Sequence, residues 1–523
     1  MKKNVPLLIL IAITALISCT KTDGWILTEP FEVLEDEPTT KIATFGPQTG
    51  HPFSIDHVLK VYNSMDTKGL YSETEDVIQP THLYLRFMPA TLDEIDLIKK
   101  RHDLVVYQYP LDCEITEGFI DATNPYLNNG YPQYWCVVPV GYSIDNIGCQ
   151  YEVESLLWFP SFLNEPSTKS ESSEFEYNLY LNVCKEQGLE PELPIETKST
   201  KYYPSGYVKY LDSDLGVVGI EGMEVDAYNF WHNYDAYSSN TGYLNYNGHY
   251  FTSSYRYRIK FERDHFAVKL DSTHYDLEYV TGSTTSSLNK TFYNEYAKYS
   301  VIFQAAYRYY YQDIDIPRPP YNGTWDAILR ICVYPDDMDD QGRGGLFTLD
   351  HRGLLADRPI VKIWCWYMLG EFSSKEIYGN TIHELTHAMH WNLDKDLFPD
   401  IEIRVLESVA TSIQDYLTKQ RYPLYEITSP IIYDRYTYIM RDLVDGIKTV
   451  ECEYYMDNGV ITEYNPHIDY YDNISFAYTY GELIEAVKTC TTPNEWRTRV
   501  WTLYPNRTSW SRLSTAFNFW FEL

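Results

Sequence analysis

The chain has 523 residues, with 74 Asp and Glu against 42 Lys and Arg and a formal charge of -32. A surface that negative repels phosphate backbones and anionic lipid, so nucleic acid is excluded as an expected partner. The length leaves room for about three domains at roughly 150 residues each, every one large enough to bury a core.

The opening MKKNVPLLILIAITALISC sets Lys2 and Lys3 before an apolar run from Val5 to Ile17, too short to span a bilayer as a mature helix. It reads as an export signal. Leu16-Ile17-Ser18-Cys19 resembles a bacterial lipobox, which implies cleavage before Cys19, a lipid on its sulfur, and anchorage in the outer-membrane leaflet facing the periplasm or the cell surface. Residues 1–18 are then the signal peptide, and polar, Pro-containing residues 19–45 a tether. The other eight cysteines match neither a CxxC knuckle nor a dense disulfide scaffold, and their pairing stays open.

Further on, His82–Met88 alternates like a strand, Ala90–Lys100 has helical spacing with Thr91 as N-cap, and Leu104–Pro110 reads as a second strand. Together they predict a small α+β domain over 46–190. HLYLRFMPATLDEIDLIKKRHDLVVYQYPLDCEIT resembles the N-terminal region of predicted lipoprotein metallopeptidases from Gram-negative gut bacteria. The Pro-rich stretch Glu190–Thr200 marks a linker. Short Gly-punctuated runs at Gly206–Leu211, Asp214–Ala227 and Tyr255–Phe261 predict a β-sandwich over 203–280. Its pattern looks like the transthyretin-like domain found beside carboxypeptidases.

Residues 285–523 change character. The aromatic-rich stretch 287–311 has helical spacing, with its stripe read as core. Two strand-like runs follow, Ala327–Tyr334 and Pro359–Tyr367, the second a candidate edge strand on which a substrate could extend by main-chain hydrogen bonds. Between them lies an acidic turn, Asp336–Gly345. Its carboxylates could hold a structural Ca2+, but the spacing fits no EF-hand loop and a solvated turn is the plainer reading. The expected fold is multidomain α+β, ending in a mainly α catalytic domain with a small sheet. The 51 Tyr and 12 Trp suit either sugar- or peptide-binding surfaces or core packing.

Thr381–Trp391 carries the chemistry, as His383-Glu-Leu-Thr-His387 with His390 beyond it. On a helix, His383 and His387 lie about 40° apart, whereas Tyr378, Leu385, Ala388 and Met389 fall opposite. Such a helix has a packed back and an imidazole front. Ser373 and Glu376 form a capping box that starts it near residue 374. A hydrolytic zinc needs three protein ligands and one open position. A second helical pattern, Ile401–Leu417, brings Glu407 to the edge of its apolar stripe; Glu402 is the rival ligand, placed either before the helix or as a partner of Arg404.

HELTHA followed by Glu407, twenty residues after His387, resembles the thermolysin-like gluzincins. The resemblance implies a zincin-type domain with one Zn2+ held by His383, His387 and Glu407, and Glu384 as general base. Four residues past the third ligand that family carries an Asp that orients a ligand His, where this chain has Thr411. Support is expected instead from Asp415 or a main-chain carbonyl. Tyr478, Tyr480 and His467 are the candidates for stabilising the oxyanion, and His390 is expected to line the cleft or back a ligand. The expected activity is peptide-bond hydrolysis on a peptide or protein substrate by a monomer. A glycan- or peptide-binding lipoprotein without catalysis, or a hydrolase of peptidoglycan, are the other readings.

Overall fold

The computed structural model describes residues 42–521, except 66–77, 102, 121–124, 129, 145–146, 162–170, 190, 192–199, 271–274, 321–327, 340–343, 351–357, 368–369, 426–435, 446–451, 458–459 and 467–477. Cys19 and His467 lie outside the described residues, as do the signal peptide and the middle of the acidic turn. The described part is mixed α/β, with several sheets and ten α-helices among the described residues.

Its N-terminal region sets an antiparallel sheet, in the order Tyr134–Pro139, His82–Phe87, Tyr151–Leu157, against helix α2 (Leu92–Lys99). Thr91 caps α2 by accepting from the Glu94 N–H. Leu85, Phe87, Ile95 and Ile98 form the core between sheet and helix. Two further helices, α1 (Ile55–Ser64) and α3 (Glu171–Gln187), pack on each other. Leu104–Pro110, expected as a strand, makes only an isolated bridge between Tyr107 and Trp135. The Arg258 guanidinium takes the Val106 carbonyl there, so that group is satisfied without a ladder.

Next come two sheets whose apolar faces share one core: a five-stranded antiparallel sheet centred on Glu224–Tyr228 and Arg256–Lys260, and a smaller one built on Ser205–Asp212. The strands do not stop at the expected boundaries. Gly118–Ile120 pairs with Glu278–Val280, and Leu288–Phe292 pairs in parallel with Ser205–Asp212. The stretch 287–311 is thus a strand, then helix α4 (Asn294–Tyr311), whose aromatic residues are largely buried.

A six-stranded sheet carries the site. Its order is β1 (Glu262–Arg263), β2 (Phe266–Leu270), β3 (Leu329–Met338), β5 (Arg358–Tyr367), β4 (Gly345–Asp350), with β6 (Gly370–Glu371) on the end of β5. β2, β3 and β5 run parallel and β4 is antiparallel to β5. Among the described residues the free edge beside the site therefore belongs to β4, and Pro359–Tyr367 is an inner strand. Residues 359–367 are apolar enough for either place; only the long-range pairing decides. Helix α5 (Ser374–Leu393) packs on β4 and β5 and between α4 and α6 (Ile403–Arg421). Four shorter helices follow, α7 (Ile439–Asp445), α8 (Tyr480–Val487), α9 (Pro493–Leu503) and α10 (Trp510–Phe521).

One turn ties the sandwich to both site helices. Ser213 and Ser374 exchange bonds, each N–H donating to the other's Oγ at 2.9 and 2.7 Å, and the Lys375 N–H donates to Asp214 Oδ2 at 3.0 Å. These satisfy N–H groups that the first turn of α5 leaves without helical partners. At the far end of α6, the Tyr422 hydroxyl donates to Asp212 Oδ2 at 2.6 Å, and Arg421 donates to the Tyr210 hydroxyl, which itself donates to Asp212 Oδ2. Asp212 Oδ1 accepts from the N–H groups of Asp214 and Leu215. Asp212 is 1% exposed, so every bond it makes is sheltered from water. Asp212→Ala leaves these donors unpaired and should lower unfolding stability by about 3 kcal/mol, read in urea titration. A loss under about 0.5 kcal/mol, the surface norm, would show that the turn is not a fastening point.

Candidate metal centre

The helix that carries the motif begins where the sequence predicts. The Ser373 N–H donates to the Glu376 carboxylate at 2.8 Å, which closes the capping box. Ile382, Leu385, Ala388 and Met389 bury the back of α5 completely, and His383 and His387 project from its front.

Three atoms converge there. His383 Nε2 and Glu407 Oε2 are 3.0 Å apart, His383 Nε2 and His387 Nε2 3.2 Å, and His387 Nε2 and Glu407 Oε2 3.6 Å. A tetrahedral zinc with bonds of about 2.05 Å spaces its ligand atoms about 3.3 Å apart. The observed triangle brackets that value. No other His, Cys, Asp and Glu group among the described residues meets in this way. The three side chains keep 11–13% exposure, so the cluster is sheltered but open to solvent on one side.

The electrostatics agree. Burial opposes a charge on His383, yet the bond to Glu407 and its negative charge win and push the imidazole up to about 9. Burial likewise opposes ionisation of Glu407, but the two imidazoles hold it well below the usual carboxylate range. Both shifts describe a place that favours positive charge, which a metal supplies by displacing the proton.

Glu384 lies beside the triangle, 7% exposed. Burial raises its carboxyl, the imidazoles oppose this, and the Phe347 backbone N–H of β4 donates to it. Its approach to β4 is close. A Cβ at Gly345 would stand 2.5 Å from Glu384 Cγ and 2.7 Å from its Oε1, so only glycine fits.

Glu402 caps the start of α6 and its carboxylate pairs with Arg404, so it is not a ligand in this arrangement. Asp415 does not back His383. It faces Lys419 at 2.7 Å and Arg441 at 3.3 Å, while Gln414 Oε1 stands 3.0 Å from His383 Nδ1. Helical phase explains the change: 414 lies seven residues after 407, about 20° from it around α6, and 415 is turned a further 100°. His390 is 2% exposed beside Phe398, and burial pushes its pKa down to about 3.

Tyr478 and Tyr480 are buried, one with its ring against Tyr504, the other stacked on Tyr416 at 4.2 Å. Among the described residues a different tyrosine makes a ring contact with the cluster: Tyr436, its ring centre 6.4 Å from that of His383. Among 51 tyrosines no local pattern sets it apart. Asp336 in the acidic turn pairs with Lys298 at 3.7 Å, and residues 340–343 lie outside the described part. The seven cysteines whose side chains are described are free thiols.

Metal content gives a direct check. Zinc should bind at one equivalent per chain, with Glu407→Ala and His383→Ala each losing it and Asp415→Asn keeping wild-type affinity within about twofold, since second-support losses run to tenfold or more. Equal loss in Asp415→Asn would move the supporting role back to that residue. Searches of family models, of curated proteins and of solved structures return no match for the chain.

Proposed function

We propose that the chain is a zinc-dependent peptidase of the gluzincin type, with His383, His387 and Glu407 as ligands and Glu384 as general base. The observation that carries this is the triangle of two imidazole nitrogens and one carboxylate oxygen with edges of 3.0, 3.2 and 3.6 Å. Three protein ligands leave one position for water, as hydrolysis needs and a structural zinc does not.

When bound, zinc supplies a water whose pKa falls to about 7 and polarises the carbonyl under attack. Glu384, beside the cluster, would accept a proton from the attacking water and return it to the leaving amine. Its burial favours this return, because a carboxyl pushed above its ordinary range holds a proton more readily. Tyr436, whose ring centre is 6.4 Å from that of His383, is the candidate phenol for the oxyanion.

A peptide is favoured over other substrates by β4. Antiparallel pairing to β5 uses one side of this strand, and among the described residues no strand pairs with its other side, next to Glu384. An extended peptide can add there as a further strand. The sandwich is proposed as a transthyretin-like module and the six-stranded sheet with α4 to α6 as a zincin-type domain. Lipidation of Cys19 would hold the enzyme, as a monomer, in the outer membrane.

Incubation with an unfolded protein substrate separates the parts. Glu384→Gln should lower kcat by about 10²–10⁴ while zinc content stays at one equivalent. Gly345→Ala, which forces Glu384 aside, should lower kcat by about 10² with zinc retained. Tyr436→Phe should cost about 10² in kcat. Wild-type chain that binds zinc but cleaves nothing, or full activity in Glu384→Gln, would refute the peptidase reading.

A further inference from the structure

Resting on the zinc reading, we infer that Gln414 and Tyr425 form a neutral pair that selects the metal-binding tautomer of His383. Gln414 Oε1 lies 3.0 Å from His383 Nδ1, and Gln414 Nε2 donates to the Tyr425 hydroxyl at 2.7 Å. Gln414 is 6% exposed and Tyr425 3%, so neither bond is shared with bulk water.

For His383 to present a lone pair at Nε2, its proton must sit on Nδ1. That proton needs an acceptor, and the amide oxygen is placed to be it. The amide then has to turn its NH2 the other way, where a phenol oxygen accepts one of its hydrogens. A flipped amide would aim N–H at Nδ1, drive the imidazole proton onto Nε2 and block the metal. Tyr425 thereby acts at one remove, as the acceptor that satisfies the buried NH2 when the amide oxygen faces Nδ1.

The helix makes room for this pair. A Cβ at Gly379, one turn before His383 on α5, would stand 2.6 Å from the Tyr425 hydroxyl and 3.2 Å from Gln414 Nε2. Glycine inside a helix is unfavourable relative to alanine. Here the missing methyl is the space in which phenol and amide meet.

The uncharged support also sets the charge of the centre. A carboxylate in this place would add a second negative group to that of Glu407, whereas Gln414 adds none and leaves the bound metal a stronger Lewis acid.

The experiment is zinc affinity of the purified full chain, measured by competition with a chromophoric chelator, together with the visible spectrum of the Co2+ form. Gln414→Leu should weaken zinc 10- to 100-fold and alter the Co2+ bands, because His383 loses its orienting acceptor. Gln414→Glu should restore affinity to wild type or better, since a carboxylate accepts the same proton. Tyr425→Phe should weaken zinc about tenfold, by stranding a buried N–H in the metal-bound arrangement. Melting of the metal-free variants, compared with wild type, separates an effect on the metal from one on the fold. Unchanged zinc affinity and Co2+ bands in a folded Gln414→Leu would overturn the assignment of Gln414, and unchanged affinity in Tyr425→Phe that of Tyr425. A wild-type chain that takes up no zinc would instead overturn the metal centre itself.

Discussion

The turn Asp212–Leu215 is where the geometry of the site is set. It holds the first turn of α5 through Ser213 and Asp214, and the last turn of α6 through Asp212. These are the two helices that carry His383 and His387 on one side and Glu407 on the other. Metal ligands must be held within a few tenths of an ångström, and two helices that can slide do not achieve that. Fastening opposite ends of both to one buried carboxylate and one pair of hydroxyls removes the slide. The sheet built on Ser205–Asp212 is therefore a structural support of the site, although none of its residues belongs to the His383, His387 and Glu407 cluster.

The same interdependence appears at the far side of the site sheet. Asp96 and Lys99 of α2 pair with Arg330 on β3 and Glu262 on β1, and Lys99 also meets Asp276. Lys269 on β2 reaches Asp276 as well. Buried ion pairs add little net stability compared with apolar contacts, but breaking one leaves an uncompensated charge. They thus specify how the N-terminal helix docks on the sheet. Together with ladders that cross the expected boundaries at 190–203 and 280–285, they leave Thr40–Leu523 a single compact unit.

What the sequence made legible is what local periodicity and spacing encode. The capping box at Ser373, the imidazole face of α5, the Thr91 cap and the phase of Glu407 on α6 all follow from a 3.6-residue repeat. Strand order does not. Arg358–Tyr367 and Gly345–Asp350 differ in which is the edge only through partners dozens of residues away, and the acidic, Gly-rich run that hid β4 is what lets it approach Glu384. Gln414 escaped for a different reason: the gluzincins that the motif resembles carry a charged residue at the place of Thr411, and a neutral one two turns past Glu407 has no signature of its own. Tyr436 was hidden by the abundance of tyrosine.

His390 shows why the centre stays open. It lies seven residues beyond His383, only about 20° from it around α5, so a projection down the axis makes it look like another ligand. Along the axis it stands roughly 10 Å away, two turns on, where its ring meets Phe398. Burial pushes its pKa down to about 3, and both ring nitrogens lack a hydrogen-bond partner among the described residues. A neutral imidazole enclosed in this way can neither neutralise Glu407 nor reach the metal that His383 would hold. Had it occupied the fourth position, the site would be saturated with protein ligands and would serve only to stabilise the fold. Its displacement by two helical turns leaves three candidate ligands, and on the proposed reading three is the number that would leave water a place beside Glu384.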